Sequence, residues 1–286
     1  MKTRLLLFLM LFANVLSFSM LANDVVDNSR VDIPFQVVNG LIIIEVEIDE
    51  KVGNYIFDTG AEELILNKKV ESGNTLFSSI NGELTTQEVN INLLKIGNLT
   101  QSKVKAYSTD LGSIESYLDI PIQGVIGCSL FLPNRVKIDF ASNMITLSSN
   151  SDLIDHGESY VKFEMQDGVP VCPIEIDDKQ YLFGFDTGAT MHVLDQNIKR
   201  ELQNVLQDTG LDTYVTTGTG EKTINTIQSI HAFELGDEEV EDAQFLLQDL
   251  SSFNADMEEP ISGVLSLIAL GLDEIVIDLH DNRIYF

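Results

Sequence analysis

The sequence predicts an all-β protein built from two duplicated lobes, and three observations carry that prediction. The pentapeptide Phe-Asp-Thr-Gly-Ala occurs at residues 57–61 and again at residues 185–189. The residues around the two copies align with one another almost from end to end, the signature of an internal repeat. Short β-branched and aromatic stretches, often alternating apolar with polar, run through both halves and are punctuated by Asn-Gly, Asp-Gly and Asp-Asp-Lys turns.

The chain begins with Lys2 and Arg4 ahead of an apolar run from Leu5 to Phe18 that small residues close. This is the layout of a signal peptide over residues 1–22, with cleavage expected after Ser19 or Ala22. The run is shorter than the roughly 20 apolar residues of a bilayer-spanning helix. The expectation is therefore an exported protein, periplasmic or secreted, with no membrane contact after cleavage. At 286 residues, with 44% hydrophobic and 22% charged, the chain can bury a normal core in one large domain or two small ones.

In the first half the strand signals fall at Ile33–Val38, Leu41–Ile48 and Tyr55–Phe57. In the second half they fall at Val161–Met165, Tyr181–Phe185 and Glu274–Asp278. Upstream of the motifs the halves align at an offset of 128 (186 − 58): Phe35 with Phe163, Gly40 with Gly168, Glu47-Ile48-Asp49 with Glu175-Ile176-Asp177. Downstream the offset is 139 (263 − 124): Gly97 with Gly236, Pro121 with Pro260, Gly124-Val125 with Gly263-Val264, Asp139 with Asp278. Leu147 falls on Phe286, so the halves end at the same structural point.

The second half thus holds 11 extra residues (139 − 128) after its motif. Asp195–Gln207 starts with a capping residue, carries Ile198, Leu202, Val205 and Leu206 at helical spacing, and has Gly210 just beyond. The insertion is read as a short helix. A third Asp-Thr-Gly at Asp208–Gly210 follows it, and without an apolar strand in front it reads as a helix stop. These boundaries give a first lobe over 31–148, a polar linker or surface loop over 149–158, and a second lobe over 159–286.

The net charge of −28, from 45 acidic and 17 basic residues, argues against nucleic acid and anionic membrane surfaces as partners. The acidic runs Asp237–Asp242 and Asp256–Glu259 read as solvated surface. Cys128 and Cys172 either pair in an oxidising compartment or stay as buried free thiols. No zinc spacing links them to His156, His192, His231 or His280, and neither metal nor cofactor is expected. His192, close to the second motif, reads as packing.

An apolar strand that ends in Asp-Thr-Gly places a carboxylate on a tight turn, with glycine allowing close backbone approach and the threonine hydroxyl free to tie the turn to a partner. Two equivalent turns about an approximate two-fold axis bring two aspartates face to face. Carboxyl groups that close share a proton and titrate as a pair, one able to act as base and the other as acid. No Gly-x-Ser-x-Gly or cysteine and histidine context offers a competing nucleophile.

These residues resemble the aspartic proteases, and the alanine after each Asp-Thr-Gly is similar to the retropepsin-like branch. Gly124-Val125-Ile126-Gly127 and Gly263-Val264-Leu265-Ser266 resemble the family's apolar-apolar-glycine segment, with Ser266 departing from the glycine. Val136–Phe140 with Met144–Leu147 resembles its closing hairpin. The resemblance implies an acid-protease fold of two β-barrel-like lobes in one chain, so that a monomer suffices. It implies catalytic Asp58 and Asp186, with Thr59, Gly60, Thr187 and Gly188 supporting their turns. It also implies a peptide or protein substrate held in the inter-lobe cleft by Ala61, Ala189 and two flap hairpins whose turns contain Gly82 and Gly220. Glu62 and Glu63 in one lobe against Thr190 in the other imply unequal contributions to substrate binding, or else solvated loop positions. The expected function is an exported aspartic endopeptidase. The rival is a duplicated β protein of the same fold that binds peptides or proteins without turnover.

Overall fold

The computed structural model describes residues 5–6, 30–70, 75–79, 82–150, 159–216, 222–255 and 257–286. Apart from Leu5–Leu6, which form a two-residue strand (β1), the expected signal segment lies outside the described residues. So does most of the polar stretch between the halves.

The first half contributes β2 (Val31–Val38), β3 (Leu41–Ile48), β4 (Lys51–Asp58), β5 (Leu64–Asn67) and β6 (Thr75–Ser79). It continues with β7 (Gly82–Ile96), β8 (Leu99–Thr109), α1 (Gly112–Leu118), β9 (Gly124–Gly127), β10 (Arg135–Asp139) and β11 (Met144–Ser148). The second half contributes β12 (Tyr160–Lys162), β13 (Glu164–Gln166), β14 (Val169–Ile176), β15 (Lys179–Asp186) and β16 (His192–Asp195). It ends with β17 (Leu206–Thr216), β18 (Lys222–Leu235), β19 (Glu238–Gln248), α2 (Ser251–Asn254), β20 (Gly263–Ser266), α3 (Leu267–Leu270), β21 (Glu274–Asp278) and β22 (Arg283–Tyr285). The molecule is all-β and two-lobed, as the alternating patterns predict.

In the first lobe the order β3-β4-β9-β5-β8-β7 closes on itself because β7 also pairs with β3, making a six-stranded barrel. The second lobe repeats the order as β14-β15-β20-β16-β19-β18, and the pair Glu175↔Glu234 returns β18 to β14. The strands leading to the two motifs are buried on both faces at their C-terminal ends, Tyr55–Asp58 in β4 and Phe183–Asp186 in β15. That burial draws both aspartates into the interior.

The lobes are joined by a shared layer of strands in the order β12-β22-β21-β10-β11-β2. At its centre β10 and β21 pair antiparallel with Lys137 opposite Val276. These two are repeat mates (276 − 137 = 139), so the pairing itself marks a pseudo-two-fold axis. Ile33, Val136, Ile138 and Ile145 from one half and Ile275, Ile277 and Ile284 from the other share one apolar cluster beneath it. Arg135 spans the same junction, forming a short ion pair with the fully buried Asp278.

Three local expectations are revised. The predicted strand Val161–Met165 is two strands, because at Phe163 the chain changes partners: β12 pairs with β22 and β13 with β14. The insertion is less helical than its spacing predicts, with one 3-10 turn at Gln196–Ile198 followed by hydrogen-bonded turns up to Leu206. Leu206 is instead taken up by β17, whose pairing with β18 outcompetes a further helical turn. The third Asp-Thr-Gly is accordingly no helix stop. It lies inside β17 at a bulge between Asp208 and Leu211, with Gly210 at φ +68°.

Candidate active site

Each motif folds the same way locally. The Gly60 N–H donates to Asp58 Oδ1 at 2.8 Å, and the Gly188 N–H donates to Asp186 Oδ1 at 2.6 Å. The turns then lock across the lobes. The Thr59 N–H donates to Thr187 Oγ1 at 2.9 Å, and the Thr187 N–H donates to Thr59 Oγ1 at 3.1 Å. Each hydroxyl in turn donates onward, Thr59 to the Phe185 carbonyl at 3.0 Å and Thr187 to the Phe57 carbonyl at 2.9 Å. Both threonines are buried, so each hydroxyl fills one donor and one acceptor role that water does not supply.

The glycines are required by proximity. A Cβ on Gly60 would lie 2.5 Å from the Asp186 carboxyl carbon, and one on Gly188 would lie 2.5 Å from Asp58 Oδ2. Each carboxyl therefore sits directly over the other lobe's turn, and the two face each other with at most 1% of either residue exposed. Among the described residues no cation pairs with either.

This geometry dictates the electrostatics. Burial, and then the charge and hydrogen bond of Asp186, push the Asp58 carboxyl well above the usual carboxylate range. Burial also raises Asp186, to about 6, while the hydrogen bonds from Asp58 and from the Gly188 N–H hold it down. Both carboxyls are raised and interact, so they give up their protons in separate steps as one pair that holds a single proton over an intermediate pH range. The Oδ2 atoms of both have no hydrogen-bond partner among the described protein groups.

Behind each turn runs the segment that resembles the apolar-apolar-glycine motif, β9 beside β4 and β20 beside β15. The two are not alike. In the first lobe Gly127 pairs with Asp58, and the next residue, Cys128, donates its N–H to the Ala61 carbonyl at 2.7 Å. A Cβ on Gly127 would meet the Glu63 carbonyl oxygen at 2.5 Å. In the second lobe Ser266 pairs with Asp186, and its hydroxyl donates to the Ala189 carbonyl at 2.7 Å. The departure from glycine is thus absorbed by a hydrogen bond, and the same hydroxyl accepts from the Ala269 N–H to cap α3.

The remaining predicted residues are placed as follows. The Ala61 and Ala189 side chains are fully buried in the apolar cluster of their own lobe. Glu62 packs against the Gly168 turn of the opposite lobe, and Thr190 against the Gly40 turn, so both positions are part of the lobe contact. Gly82 opens β7 of the hairpin β6–β7, and Gly220 lies outside the described residues. A cavity of about 720 Å³ is bounded by Ser79 of β6, Asn197, Asn225 and Thr226 of the second lobe, and Phe253 of α2, and neither aspartate lines it. Cys128 and Cys172 are unpaired and buried.

Sequence reading missed two contributions. The carbonyls of Phe57 and Phe185, which receive the threonine hydroxyls, are backbone atoms with no signature of their own. His192 was legible only as packing, although its equivalent in the first lobe is Leu64 (192 − 128), a difference that coincides with the change from Gly127 to Ser266.

Two barrels that each deliver one Asp-Thr-Gly turn to a common buried axis define a two-lobed acid-protease architecture. The sequence agrees with the fold: the model of the family described as "Aspartyl protease" matches residues 44–130 and 172–273, once in each lobe and about two thirds of the chain. The protein belongs to the aspartyl protease family. No curated protein matches the chain in a sequence comparison.

Proposed function

We propose that the protein is an aspartic endopeptidase in which Asp58 and Asp186 activate a water for attack on a peptide bond. The observation that carries this reading is the face-to-face burial of the two carboxyls, each held by its own glycine N–H and clamped by the threonine exchange. The ionised member of the pair takes a proton from the attacking water. The member that keeps the proton donates it toward the scissile carbonyl oxygen as charge develops there. The roles exchange as the tetrahedral intermediate collapses and the leaving amine is protonated. Every group involved is pre-positioned by hydrogen bonds within the protein, which spares reorganisation at the moment of reaction.

The substrate is an extended peptide in the cleft between the lobes, paired along its backbone with the hairpins β6–β7 and β17–β18. One chain supplies both halves of the site, so a monomer suffices. The signal-like N-terminus supports export, to a periplasm or out of the cell.

The test is cleavage of a mixed peptide library across pH by the mature protein, with Asp58→Asn and Asp186→Asn as controls. Cleavage by the wild type that both substitutions abolish is the expected result. No cleavage at any pH, or cleavage unchanged by both substitutions, rejects the proposal and favours a binding module of the same fold.

A further inference from the structure

Around Asp186 the second lobe has a construction that the first lobe lacks. Ser266, the residue paired with Asp186 across β15 and β20, donates its N–H to His192 Nδ1 at 3.1 Å and its hydroxyl to the Ala189 carbonyl at 2.7 Å. The loop from Asp186 to His192 is therefore tied to β20 at three successive points: strand pairing at Asp186, the hydroxyl at Ala189 and the imidazole at His192. At the equivalent place in the first lobe stand Gly127 and Leu64, and neither has a side chain able to make these bonds.

The imidazole is built for this single role. It is 1% exposed, stacked at a tilt on Phe245 with ring centroids 5.1 Å apart, and meets Phe233 edge-to-face at 6.1 Å. Because Nδ1 accepts from a backbone N–H, the ring proton is on Nε2, which has no hydrogen-bond partner among the described residues. Burial depresses the imidazole to about 3, so it remains a neutral acceptor in the acid range where a carboxyl pair holding one proton works.

We propose that His192 and Ser266 form a positioning clamp that fixes the Asp186 turn to β20 through side chains, whereas the Asp58 turn is tied to β9 by backbone bonds alone. This rests on the endopeptidase reading for its kinetic consequence, but not for its structural one. Neither residue touches the reacting atoms. Ser266 acts by holding Ala189 and, through it, the Gly188 N–H that donates to Asp186, and His192 acts by holding Ser266.

The experiment compares His192→Asn with His192→Gln and His192→Leu in the mature protein. Asn places its amide oxygen where Nδ1 stood and can accept from Ser266, whereas Gln reaches the Nε2 position and Leu accepts nothing. The expected result is a kcat reduced about tenfold to a hundredfold for Gln and Leu, as displacements of about 1 Å produce, with KM within about twofold and Asn close to wild type. Wild-type kcat in Gln and Leu, or equal loss in all variants that fold, overturns the clamp. If Leu does not fold, the Asn against Gln comparison decides. If the wild type cleaves no peptide, the endopeptidase reading fails and hydrogen exchange decides the clamp. The Gly188 amide should then exchange faster in the Gln variant than in the Asn variant with Gly60 unchanged, and equal protection of Gly188 overturns it.

Discussion

Asp186→Asn should make the protein more stable at neutral pH, and the size of the gain follows from the site. The substituted side chain keeps an oxygen to accept the Gly188 N–H and has nearly the same shape, so the main change is loss of ionisation. Asp186 is raised in the folded state from 3.8 to about 6, with burial as the first cause. Well below pH 3.8 the carboxyl is protonated in both folded and unfolded chains, and the native state carries no penalty. As pH rises toward 6 the unfolded chain releases its proton first, so native stability is progressively lost. Above that window the penalty is complete, and at 1.36 kcal/mol per pKa unit it amounts to about 3 kcal/mol. Asn never incurs it. For a protein of this size the gain corresponds to a rise in Tm of about 6–12 °C at pH 7, shrinking to nothing near pH 3. Thermal melts of wild type and variant at pH 3, 5 and 7, followed by circular dichroism, measure the difference directly. A gap that is the same at pH 3 and pH 7, or a variant less stable at pH 7, would refute the reasoning that a buried carboxyl pair costs the fold stability.

Other outcomes follow from the same geometry. Thr187→Val removes the acceptor for the Thr59 N–H and the donor for the Phe57 carbonyl, and two unmade buried bonds should cost about 2–6 kcal/mol in urea unfolding, with turnover reduced as well. Asp208→Asn, in the third Asp-Thr-Gly, should leave peptide cleavage unchanged, since that turn is exposed on β17; a large loss of activity would mean that the site is wrongly placed. Cys128 and Cys172 should resist thiol labelling in the native protein and react after unfolding, because burial pushes both thiols up to about 12, for Cys128 with a further contribution from the charge of Asp58. Mass measurement of the labelled protein with and without denaturant reads this out.

The third Asp-Thr-Gly also shows where sequence information ends. At Asp208 the Gly210 N–H donates to the Asp208 Oδ1 at 2.9 Å, the same local bond that the two buried turns make. The tripeptide therefore encodes a turn and nothing more. The strand in front distinguishes the copies: β4 and β15 bury Phe57-Asp58 and Phe185-Asp186, whereas Asp208 follows the exposed Gln207. That contrast was visible in the sequence as an apolar run before the motif, although the local structure around Asp208 was misread as the end of a helix. Helical spacing at Ile198, Leu202 and Leu206 gave the misleading signal, because spacing is local and the competing pairing of β17 with β18 is not.

By itself the sequence determined the duplication, the strands that alternate apolar with polar, the two aspartates and the turns that carry them, because each depends on nearest neighbours or on a repeat read along the chain. Only the tertiary structure decided which atoms meet across the axis: the threonine exchange with the Phe57 and Phe185 carbonyls, the close approach of each carboxyl that leaves no room for a Cβ on Gly60 or Gly188, and the closure of β10 on β21. It also decided that the lobes are unequal, since the tie from Ser266 to His192 joins residues 74 apart in the chain. A contact of that kind is fixed by how two strands pack, and no single stretch of sequence carries it.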